Sequence, residues 1–575
     1  MRLKLSLALA LAAAPFWLAS SALAQPVVSI EQVRERLPED EVIYFVLADR
    51  FANGDPKNDR GGIKGDRMQH GFDPTHKGFY HGGDLKGLTQ KLDYIQGMGV
   101  TAIWFAPVFK NKAVQGGAGQ ESAGYHGYWV TDFTSVDPHF GTNDEFKAFV
   151  DAAHERGMKV YMDIITNHSA DVIQYAECPE SACEYRSRAD YPDNAYTPVV
   201  PVAEKNVKVP AWMNDVRNYH NRGNTTFRGE NSTMGDFVGL DDFATEDPFV
   251  VQGFVDVYTG WIDQFGIDGY RIDTARHVNP EFWMVFAPAI MEHAKAKGIP
   301  NFHIFGEVAS DGMDVQAQAL HTRVAKFPSV LDFVFRRAAI ETVAGRAGTE
   351  LLATLFEGDD LYEGGKATAK QLPTFLGNHD FGRFAREMRL AHPKADDAEI
   401  LRRVLLGHAM LMTLRGVPTI YSGDEQGFAG DGNDQDSRED MFPSKVAVYN
   451  DNKLVGTNAT TADSNFDTNH PIYTAIADLA KARQESVALR RGDQIVRNYD
   501  EKPGLFAVSR IDKASGEQVL AVFNTSNAPL TGNVEIGKAA TSLTTLRGEC
   551  PTAPRLSGSV AVSLPPLGYI LCKVK

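Results

Sequence analysis

GYRIDTARH, residues 269–277, begins as a strand-like run and continues into polar residues that include Asp273. Side chains alternate along a strand, so Arg271 and Asp273 project from one face, where the guanidinium can hold the carboxylate ionised. A second apolar run, residues 302–306, ends at Glu307, 34 residues after Asp273, and an apolar setting tends to raise a carboxyl pKa. The two segments therefore predict one charged and one protonated carboxyl group at strand ends.

A pair of carboxyl groups of this kind is what retaining glycoside hydrolysis requires, with the charged group as nucleophile and the protonated group as acid. An isolated Arg-x-Asp is more often a structural ion pair. Two further apolar runs favour the catalytic interpretation over the structural ion pair, because each also ends in polar groups suited to sugar hydroxyls. They are VYMDIITNH, residues 160–168, and TFLGNHD, residues 374–380. Four such ends in one chain predict a shared pocket.

In these four segments, taken in order, the chain resembles the α-amylase superfamily, glycoside hydrolase family 13. The likeness extends to GYHGYW at residues 124–129 and LDDF at residues 240–243, and it covers most of residues 41–490. It implies an α-glucan active site with Asp273 as nucleophile, Glu307 as acid/base and Asp380 as the third carboxylate. It also implies a set of substrate-binding side chains, the first of them stacked beneath a sugar ring: Tyr125, His168, Arg271, Arg276, His277, His379 and Arg383.

Arg276 departs from the pattern of the family that the chain resembles. Many α-amylases have a lysine before the histidine at this place, and that lysine helps to hold the leaving-group sugars. A guanidinium is planar and can bond in two directions at once, so the exchange is not neutral. The preference for leaving-group sugars is therefore left open by the sequence.

From residue 42 onward, strand-like runs alternate with amphipathic helical runs, which predicts a parallel sheet covered by helices. Eight runs are strand-like, the number that closes a (β/α)8 TIM barrel, and working residues of such barrels lie at the carboxyl ends of the strands. Asp163, Asp273, Glu307 and Asp380 lie at or near such ends. The eight runs are residues 42–47, 101–106, 159–165, 268–273, 302–307, 330–335, 373–378 and 417–421.

The sequence predicts two additions to this barrel. A long loop inside a compact domain is uncommon unless it is functional, so residues 169–246 are predicted to be an inserted subdomain B after strand 3. The last 85 residues carry short β runs without a helical face, which predicts a C-terminal antiparallel β-sandwich, acting as a structural cap or as a carbohydrate-binding module. The predicted segments are 1–24 signal peptide, 25–168 first part of the barrel, 169–246 insertion, 247–490 second part of the barrel and 491–575 C-terminal β domain.

Composition and the amino-terminal residues predict an exported protein. Residues 1–24 combine two basic residues, an apolar stretch and ALA at residues 22–24, which is the pattern of a cleaved secretory signal, with an uncleaved anchor as the alternative. A secreted or periplasmic location follows. The formal net charge of −16 argues against nucleic acid or an anionic membrane as partner and fits a neutral glucan polymer. The four cysteines predict two disulfide bonds, Cys178 with Cys183 and Cys550 with Cys572.

Two groups of oxygen-bearing residues resemble calcium sites of the family. The first is similar to the first calcium loop of cyclodextrin glycosyltransferases; without that likeness it is a turn-rich loop. The second, by the same resemblance, is Asn167, Asp242 and His277, with hydrogen bonding across the cleft floor as its alternative. Calcium takes carboxylate, amide and carbonyl oxygens as ligands. The ligands implied for the first group are Asn53, Asp55, Asn58, Asp59, the Gly82 carbonyl and Asp84.

The leading functional prediction is a retaining endo-type hydrolase of α-1,4-glucosidic bonds in starch or maltodextrins, acting through a covalent glycosyl-enzyme intermediate. The alternatives are a cyclomaltodextrinase- or neopullulanase-like hydrolase, an exo-acting maltooligosaccharide hydrolase and a glucanotransferase. Relatives of the cyclomaltodextrinase type commonly carry an amino-terminal β domain, for which the sequence leaves no room. A barrel that only binds glucan as a scaffold is the non-enzyme alternative; loss of a catalytic carboxylate is its expected signature.

Overall fold

The computed structural model of the chain describes residues 29–575 except residues 118, 179–182, 194 and 311, so the predicted signal peptide lies outside the described residues. Its strands are β1 Ile43–Val46, β2 Ala102–Phe105, β3 Phe109–Asn111, β4 Val114–Gln115, β5 Ser122–Ala123, β6 Val130–Val136, β7 Lys159–Ile164, β8 His168–Ser169, β9 Gln174–Tyr175, β10 Pro198–Val199, β11 Asp241–Asp242, β12 Gly269–Ile272, β13 His303–Gly306, β14 Pro373–Phe375, β15 Val417–Tyr421, β16 Asp493–Asn498, β17 Leu505–Ile511, β18 Gln518–Asn524, β19 Leu530–Glu535, β20 Leu543–Arg547, β21 Ser559–Leu564 and β22 Tyr569–Val574.

The α-helices surround the larger sheet and connect its strands. They are α1 Ile30–Glu35, α2 Arg67–His70, α3 Leu85–Gln90, α4 Leu92–Gly97, α5 Asn143–Glu155, α6 Asn231–Met234, α7 Pro248–Phe265, α8 Pro280–Ala296, α9 Val315–Arg323, α10 Phe333–Val343, α11 Glu350–Glu357, α12 Lys366–Ala369, α13 Phe384–Ala391, α14 Asp397–Thr413, α15 Ala447–Asn450, α16 Pro471–Glu485 and α17 Val487–Arg491.

Seven strands form one parallel sheet in the order β13-β12-β7-β2-β1-β15-β14, which confirms the predicted barrel. Two single parallel bridges, Gly306 to Val330 and Asp332 to Thr374, connect its edge strands β13 and β14. The predicted strand at residues 330–335 is therefore wrong as a strand, although it lies in the right place. Asp332 accepts a hydrogen bond from the backbone N–H of Phe335 and caps helix α10, so the extended chain stops there.

Helix α5 and strand β7 show how the sequence specifies one unit of the barrel. Thr142 and Glu145 form a capping box at the start of the helix, as the sequence predicts. Gly157 follows the helix with a φ of 74°, in the left-handed region that glycine adopts at little cost, and β7 begins two residues later. The helix residues that are buried against the sheet recur at three-to-four spacing: Phe146, Phe149, Val150 and Ala153.

The segment between β7 and α7 contains short strands rather than a continuous sheet. Strand β11 pairs with β8, so that Asp242 lies opposite His168 and the segment is joined to the barrel beside the end of β7. The Cys178–Cys183 and Cys550–Cys572 disulfide bonds are both present, as predicted. Within the described part of the chain, no helix has the length and apolar character needed to cross a membrane.

Strands β16 to β22 form the predicted C-terminal antiparallel domain. Five of them make a sheet in the order β16-β17-β18-β22-β20, and β19 pairs with β21 in a second sheet. Side chains from both sheets, including those of Leu520, Val522, Val560 and Val562, share one hydrophobic cluster. Burial of this apolar surface between the two sheets gives the domain a core of its own.

A buried arginine on β17 connects these strands to the barrel, and a second buried arginine of the barrel lies near it. Arg510, on β17, donates to the carbonyl oxygen of Thr413, the last residue of α14, at 3.0 Å. Arg483, on α16, donates to the carbonyls of Gly416, which precedes β15, at 2.8 Å and Leu489 at 2.9 Å. Cations at helix carboxyl termini are favourable because the unpaired carbonyls there carry partial negative charge. Burial, together with repulsion between the two guanidiniums, lowers the pKa of Arg510 to about 9.

Candidate active site

Polar residues at the carboxyl ends of four barrel strands converge on one cleft. Asp163 lies in β7, Asp273 directly follows β12, Glu307 directly follows β13, and Asp380 lies in the loop after β14. Three of these carboxylates, those of Asp273, Glu307 and Asp380, line a cavity of about 730 Å³. Cavities of several hundred cubic ångströms are typical of ligand sites. The shared pocket predicted from the four strand ends is therefore present.

Arg271 forms the floor of this cleft and is fully buried. Its Nη1 donates to Asp163 Oδ1 at 2.8 Å and to Asp273 Oδ1 at 2.8 Å. Its Nη2 lies 2.9 Å from Glu307 Oε2, but this ion pair does not have the alignment of a hydrogen bond. Because the aligned bond goes to Asp273, the guanidinium favours the ionised form of Asp273 over that of Glu307.

Burial raises the pKa of Glu307 to about 7, an effect that Arg271 opposes and the charges of Asp273 and Asp380 reinforce. Burial likewise raises the pKa of Asp273 to about 7, so the two groups compete for a proton and titrate together. The contacts of Arg271 direct that proton to Glu307. The arrangement therefore provides a charged nucleophile and a protonated acid near neutral pH.

Thr274, between the two carboxyl groups, has an unusual backbone conformation. Its φ of 45° lies in the left-handed region that β-branched residues avoid. In this conformation its backbone N–H donates to Glu307 Oε2 at 3.0 Å. Strain of this kind costs about 1–3 kcal/mol and persists where the surroundings impose it, often at functional sites.

The third carboxylate, Asp380, is held by a residue that the sequence analysis did not single out. Arg438 Nη2 lies 3.1 Å from Asp380 Oδ1 and 2.5 Å from Asp434 Oδ1. The same guanidinium donates to the Tyr125 hydroxyl at 3.1 Å. Arg438 follows Asp434 by four residues in the loop after β15. This spacing of an acidic and a basic residue is the feature of the sequence that could have indicated their ion pair.

The structure corrects the predicted sugar platform. Tyr125 is 1% exposed, does not line the cleft, and packs beneath the guanidinium of Arg50. Tyr128, three residues later in the same GYHGYW segment, lines the cleft instead. Its hydroxyl lies 2.8 Å from His379 Nε2, and its ring is stacked with the His379 ring. Of the two tyrosines in this segment, Tyr128 is therefore the one that can contact a sugar ring.

The other predicted substrate-binding residues divide into two groups. His168, Arg276 and His277 line the cleft. Burial lowers the pKa of His168 to about 3 and that of His277 to about 4, so both imidazoles are neutral hydrogen-bonding groups. The structure places these three residues in the cleft, as the sequence predicts. The residues of the second group are buried and do not line the cleft, so their predicted contact with substrate does not agree with the structure: Arg271, His379 and Arg383.

The contacts of Arg383 show why its side chain does not reach a sugar. Its side chain is 1% exposed and forms ion pairs with Asp424 and Glu439 at 3.0 and 2.9 Å. It also lies over the ring of Tyr421. Because this guanidinium is buried with two carboxylate partners and does not line the cleft, the prediction of substrate binding by Arg383 is wrong.

The first predicted calcium loop has a donor set that fits a hard cation. Asn53 Oδ1 and Asn58 Oδ1 are buried and have no hydrogen-bond partner within the described part of the chain. The Asp59 carboxylate lies beside Gly82, where a Cβ would come within 2.7 Å of Asp59 Oδ1 and of Asn53 Nδ2. Burial raises the pKa of Asp59, and neighbouring carboxylates add to the shift. Amide, carboxylate and carbonyl oxygens of this kind are calcium ligands.

Asp55 and Asp84 contribute less clearly to this loop. Asp84 caps α3 and already accepts backbone N–H bonds from Gly54, Asp55 and Gly87. Asp55 Oδ1 accepts from the backbone N–H of Lys57. Asp84 also accepts from Asn58 Nδ2 at 3.3 Å, so its roughly four acceptor positions are in use, whereas Asp55 retains free lone pairs.

The second predicted calcium set does not fit a metal ion. Asp242 Oδ2 lies 2.5 Å from Nδ1 of the buried His220, whose Nε2 lies 2.8 Å from Glu246 Oε2. Asn167 Nδ2 contacts His168 Nδ1 at 3.3 Å, and His277 Nδ1 contacts the Ser232 carbonyl at 2.8 Å. An imidazole with a carboxylate at each nitrogen already supplies positive charge beside Asp242. The prediction of Asn167, Asp242 and His277 as metal ligands is therefore not supported.

A family model described as the alpha amylase catalytic domain matches residues 45–499. Over 536 residues the chain is 43% identical to an α-amylase of Streptomyces lividans, a match that covers 89% of this chain and 58% of that protein. It is 29% identical to a cyclomaltodextrin glucanotransferase of Klebsiella oxytoca, with 79% of this chain and 66% of that protein covered. The chain thus spans less than two thirds of the length of these relatives.

A solved structure gives the same result at the level of the fold. The structure of an Anoxybacillus α-amylase matches with a TM-score of 0.71 at 27% identity, and the match covers 94% of this chain and 99% of that one. The similar proteins are named for both hydrolysis and transfer of glucosyl groups.

Proposed function

Because this chain belongs to the α-amylase family of hydrolases and transferases, we propose that it hydrolyses α-1,4-glucosidic bonds of starch or maltodextrins with retention of configuration. The observation that carries the proposal is the Arg271 guanidinium, which contacts both Asp273 and Glu307 at the ends of adjacent strands. Two carboxyl groups held close together suit a double displacement, because they leave no room for water between nucleophile and sugar.

In the first step the ionised Asp273 attacks the anomeric carbon, and Glu307 gives its proton to the glycosidic oxygen of the departing sugar. In the second step the ionised Glu307 takes a proton from water, whose oxygen displaces Asp273 from the anomeric carbon. Asp380, fixed by Arg438, is placed to bind hydroxyls of the distorted sugar. His168 can bond another hydroxyl, since its Nε2 is unpaired within the described residues.

Hydrolysis and transfer differ only in what attacks the glycosyl-enzyme, so product analysis distinguishes them. We propose hydrolysis because the relative that is 43% identical is named an α-amylase. Linear products from soluble starch, maltoheptaose, β-cyclodextrin and pullulan support this proposal, whereas cyclic or elongated products identify a glucanotransferase. Binding of all four glucans without cleavage identifies the scaffold alternative. Endo-type action is expected from the sequence, with exo-type action as the alternative; the contact between Ser122 and Gln435 at the cleft favours the exo-type alternative.

We expect the first products of maltoheptaose cleavage to be α-anomers. Two displacements at one carbon invert its configuration twice, and the α-configuration is restored. Proton NMR during the first minutes of reaction, before mutarotation, measures the anomer that is released. β-Anomers at the earliest time points would remove Asp273 from the role of nucleophile.

Calcium is proposed as a structural ligand of the loop that contains Asn53, Asn58 and Asp59. A ligand that binds only the native state stabilises it by RT ln(1 + [L]/Kd), about 2.7 kcal/mol at a hundredfold excess over Kd. An excess of chelator should therefore lower the Tm of the protein, and added calcium should restore it. The matched control is Asp59→Ala, whose Tm should no longer respond to chelator. A wild-type Tm that does not change in chelator would exclude this site.

We propose that the chain acts outside the cytoplasm on a glucan partner. Two disulfide bonds, Cys178–Cys183 and Cys550–Cys572, support an oxidising compartment, in which such bonds persist. The pattern of residues 1–24 supports export by the same reasoning. Fractionation of cells that express the full chain measures the location, and the amino-terminal residue of the exported protein tests the predicted start at Gln25.

A further inference from the structure

The cleft has two ends that the catalytic residues distinguish. Glu307 donates its proton to the leaving group, so the leaving-group side lies on the side of Glu307, where Arg276 and Ala309 line the cleft. The sugar that becomes attached to Asp273, and the chain beyond it, must then extend past Asp380. Asp434 and Gln435 line the cleft on that side. The glycone side of the substrate therefore runs from Asp380 towards Gln435.

At this glycone end the two walls of the cleft touch each other. Gln435 Nε2, in the loop after β15, donates to Ser122 Oγ, on strand β5, at 3.3 Å. Both residues line the cleft. Ser122 Oγ in turn donates to the carbonyl oxygen of Gly78 at 2.8 Å. A hydrogen bond from one wall to the other crosses the path that a longer glycone chain would follow.

Gly78 allows the walls to come this close. A Cβ at this position would lie 3.1 Å from Gln435 Oε1 and 3.3 Å from Ser122 Oγ, closer than ordinary van der Waals contacts. The backbone N–H of Ala123 also donates to the Gly78 carbonyl, at 2.8 Å. Residue 78 is thus packed against both walls at once.

Two further contacts hold the Gln435 side in place. Lys77 forms an ion pair with Asp436, which joins the residue next to Gly78 to the residue next to Gln435. The hydroxyl of Tyr449, which is buried, donates to the carbonyl oxygen of Gln435. Opening this end of the cleft would break the bonds of Gln435 in both its side chain and its backbone.

We propose that the contact between Ser122 and Gln435 closes the glycone end of the cleft, so that the enzyme accepts non-reducing chain ends and releases short maltooligosaccharides from them. This inference rests on the proposed function and specifies its mode of action as exo-type. A chain end fits against such a wall, whereas an internal segment of a polymer has further sugars that would collide with it. Gln115, which pairs with Ser122 in the β4–β5 hairpin, also lines the cleft beside this wall.

The test compares two p-nitrophenyl maltoheptaosides, one unmodified and one with an ethylidene group on the non-reducing glucose. The modified sugar cannot fit against the wall. The wild-type enzyme should therefore show a kcat/KM about tenfold or more lower on the blocked substrate than on the unmodified one. Equal values for the two substrates would overturn the proposal and leave endo-type action. No cleavage of either substrate would overturn the proposed function itself.

Two glutamine variants test whether the bond between Gln435 and Ser122 causes the difference in kcat/KM between the blocked and the unmodified substrate. Gln435→Gly removes the bond to Ser122 and should raise the ratio of blocked to unblocked kcat/KM about tenfold. Gln120→Gly is the matched control, because Gln120 lines the same cleft and has no hydrogen bond to the opposite wall among the described residues. Its ratio should stay within about twofold of the wild-type ratio. An equal rise in both variants would overturn the assignment to Gln435. If Gln435→Gly does not fold, as thermal melting would show, the wild-type ratio decides the proposal.

Discussion

Asp273→Asn is expected to lower kcat on maltoheptaose by at least about 10⁴-fold. The neutral amide cannot attack the anomeric carbon, and the bond that Arg271 Nη1 makes to Asp273 Oδ1 at 2.8 Å loses its ionised acceptor. Glucan binding should survive, since the cleft keeps its shape and its remaining polar groups. Initial rates of reducing-end formation measure the loss of turnover, and calorimetric titration with maltotriose measures binding.

The matched control for this loss is Asp263→Asn. Asp263 lies on helix α7 with a side chain that is 43% exposed, and the chemical change is the same. Its kcat should remain within about twofold of the wild-type value, because exposed substitutions away from the site have small effects. Near wild-type turnover in Asp273→Asn would remove this residue from the catalytic step, and an equal loss in Asp263→Asn would indicate damage to the fold.

Glu307→Gln is expected to lower kcat on maltoheptaose by about 10²–10⁴-fold, the usual contribution of general acid–base catalysis. A glutamine keeps the shape of the side chain but cannot deliver a proton to the glycosidic oxygen. α-Maltosyl fluoride separates this role from a structural one, because fluoride departs without protonation. The variant should therefore form the glycosyl-enzyme from the fluoride at a rate much closer to that of the wild-type enzyme, as a burst of fluoride release would show.

The pH dependence gives an independent measure of the same role. The pKa of Glu307 is raised to about 7 by burial, so its acid form is lost as the pH rises through that value. Wild-type kcat/KM on maltoheptaose should therefore fall on the alkaline side of about pH 7. In Glu307→Gln this alkaline decline should be absent from the residual cleavage of maltoheptaose. An unchanged decline would mean that another group carries the proton.

The barrel and the positions of the carboxylates at its strand ends could be predicted because they depend on local pattern. The strand periodicity and the position of Asp273 and Glu307 at strand ends are both encoded within a few residues. The sequence predicts an eighth strand at residues 330–335 because their composition is strand-like. The structure has two isolated bridges there, which that composition does not reveal. Only the capping bond of Asp332 to Phe335 shows that a helix begins there.

The other side chains that face the cleft were harder to predict than the carboxylates at the strand ends. Tyr125 and Tyr128 are both tyrosines in one turn, and which of them faces the sugar depends on the guanidiniums of Arg50 and Arg438 that pack against Tyr125. These arginines come from distant segments of the chain. In the same way, the contact of Asp242 with His220 joins residues 22 positions apart through the irregular inserted segment, where no periodic pattern reveals it.

The bond between Arg510 and the end of helix α14 bears on whether the barrel and the C-terminal domain can be separated. A module that evolution exchanges freely is usually attached by a linker, and its loss leaves the remaining domain intact. Here the carbonyl at the end of α14 receives its donor from Arg510, which lies beyond residue 499, where the matched family domain stops. A gene fragment cut at that boundary would encode a barrel with a buried helix end that lacks its counter-charge. The terminal sheet therefore completes the hydrogen bonding of the barrel at this helix end.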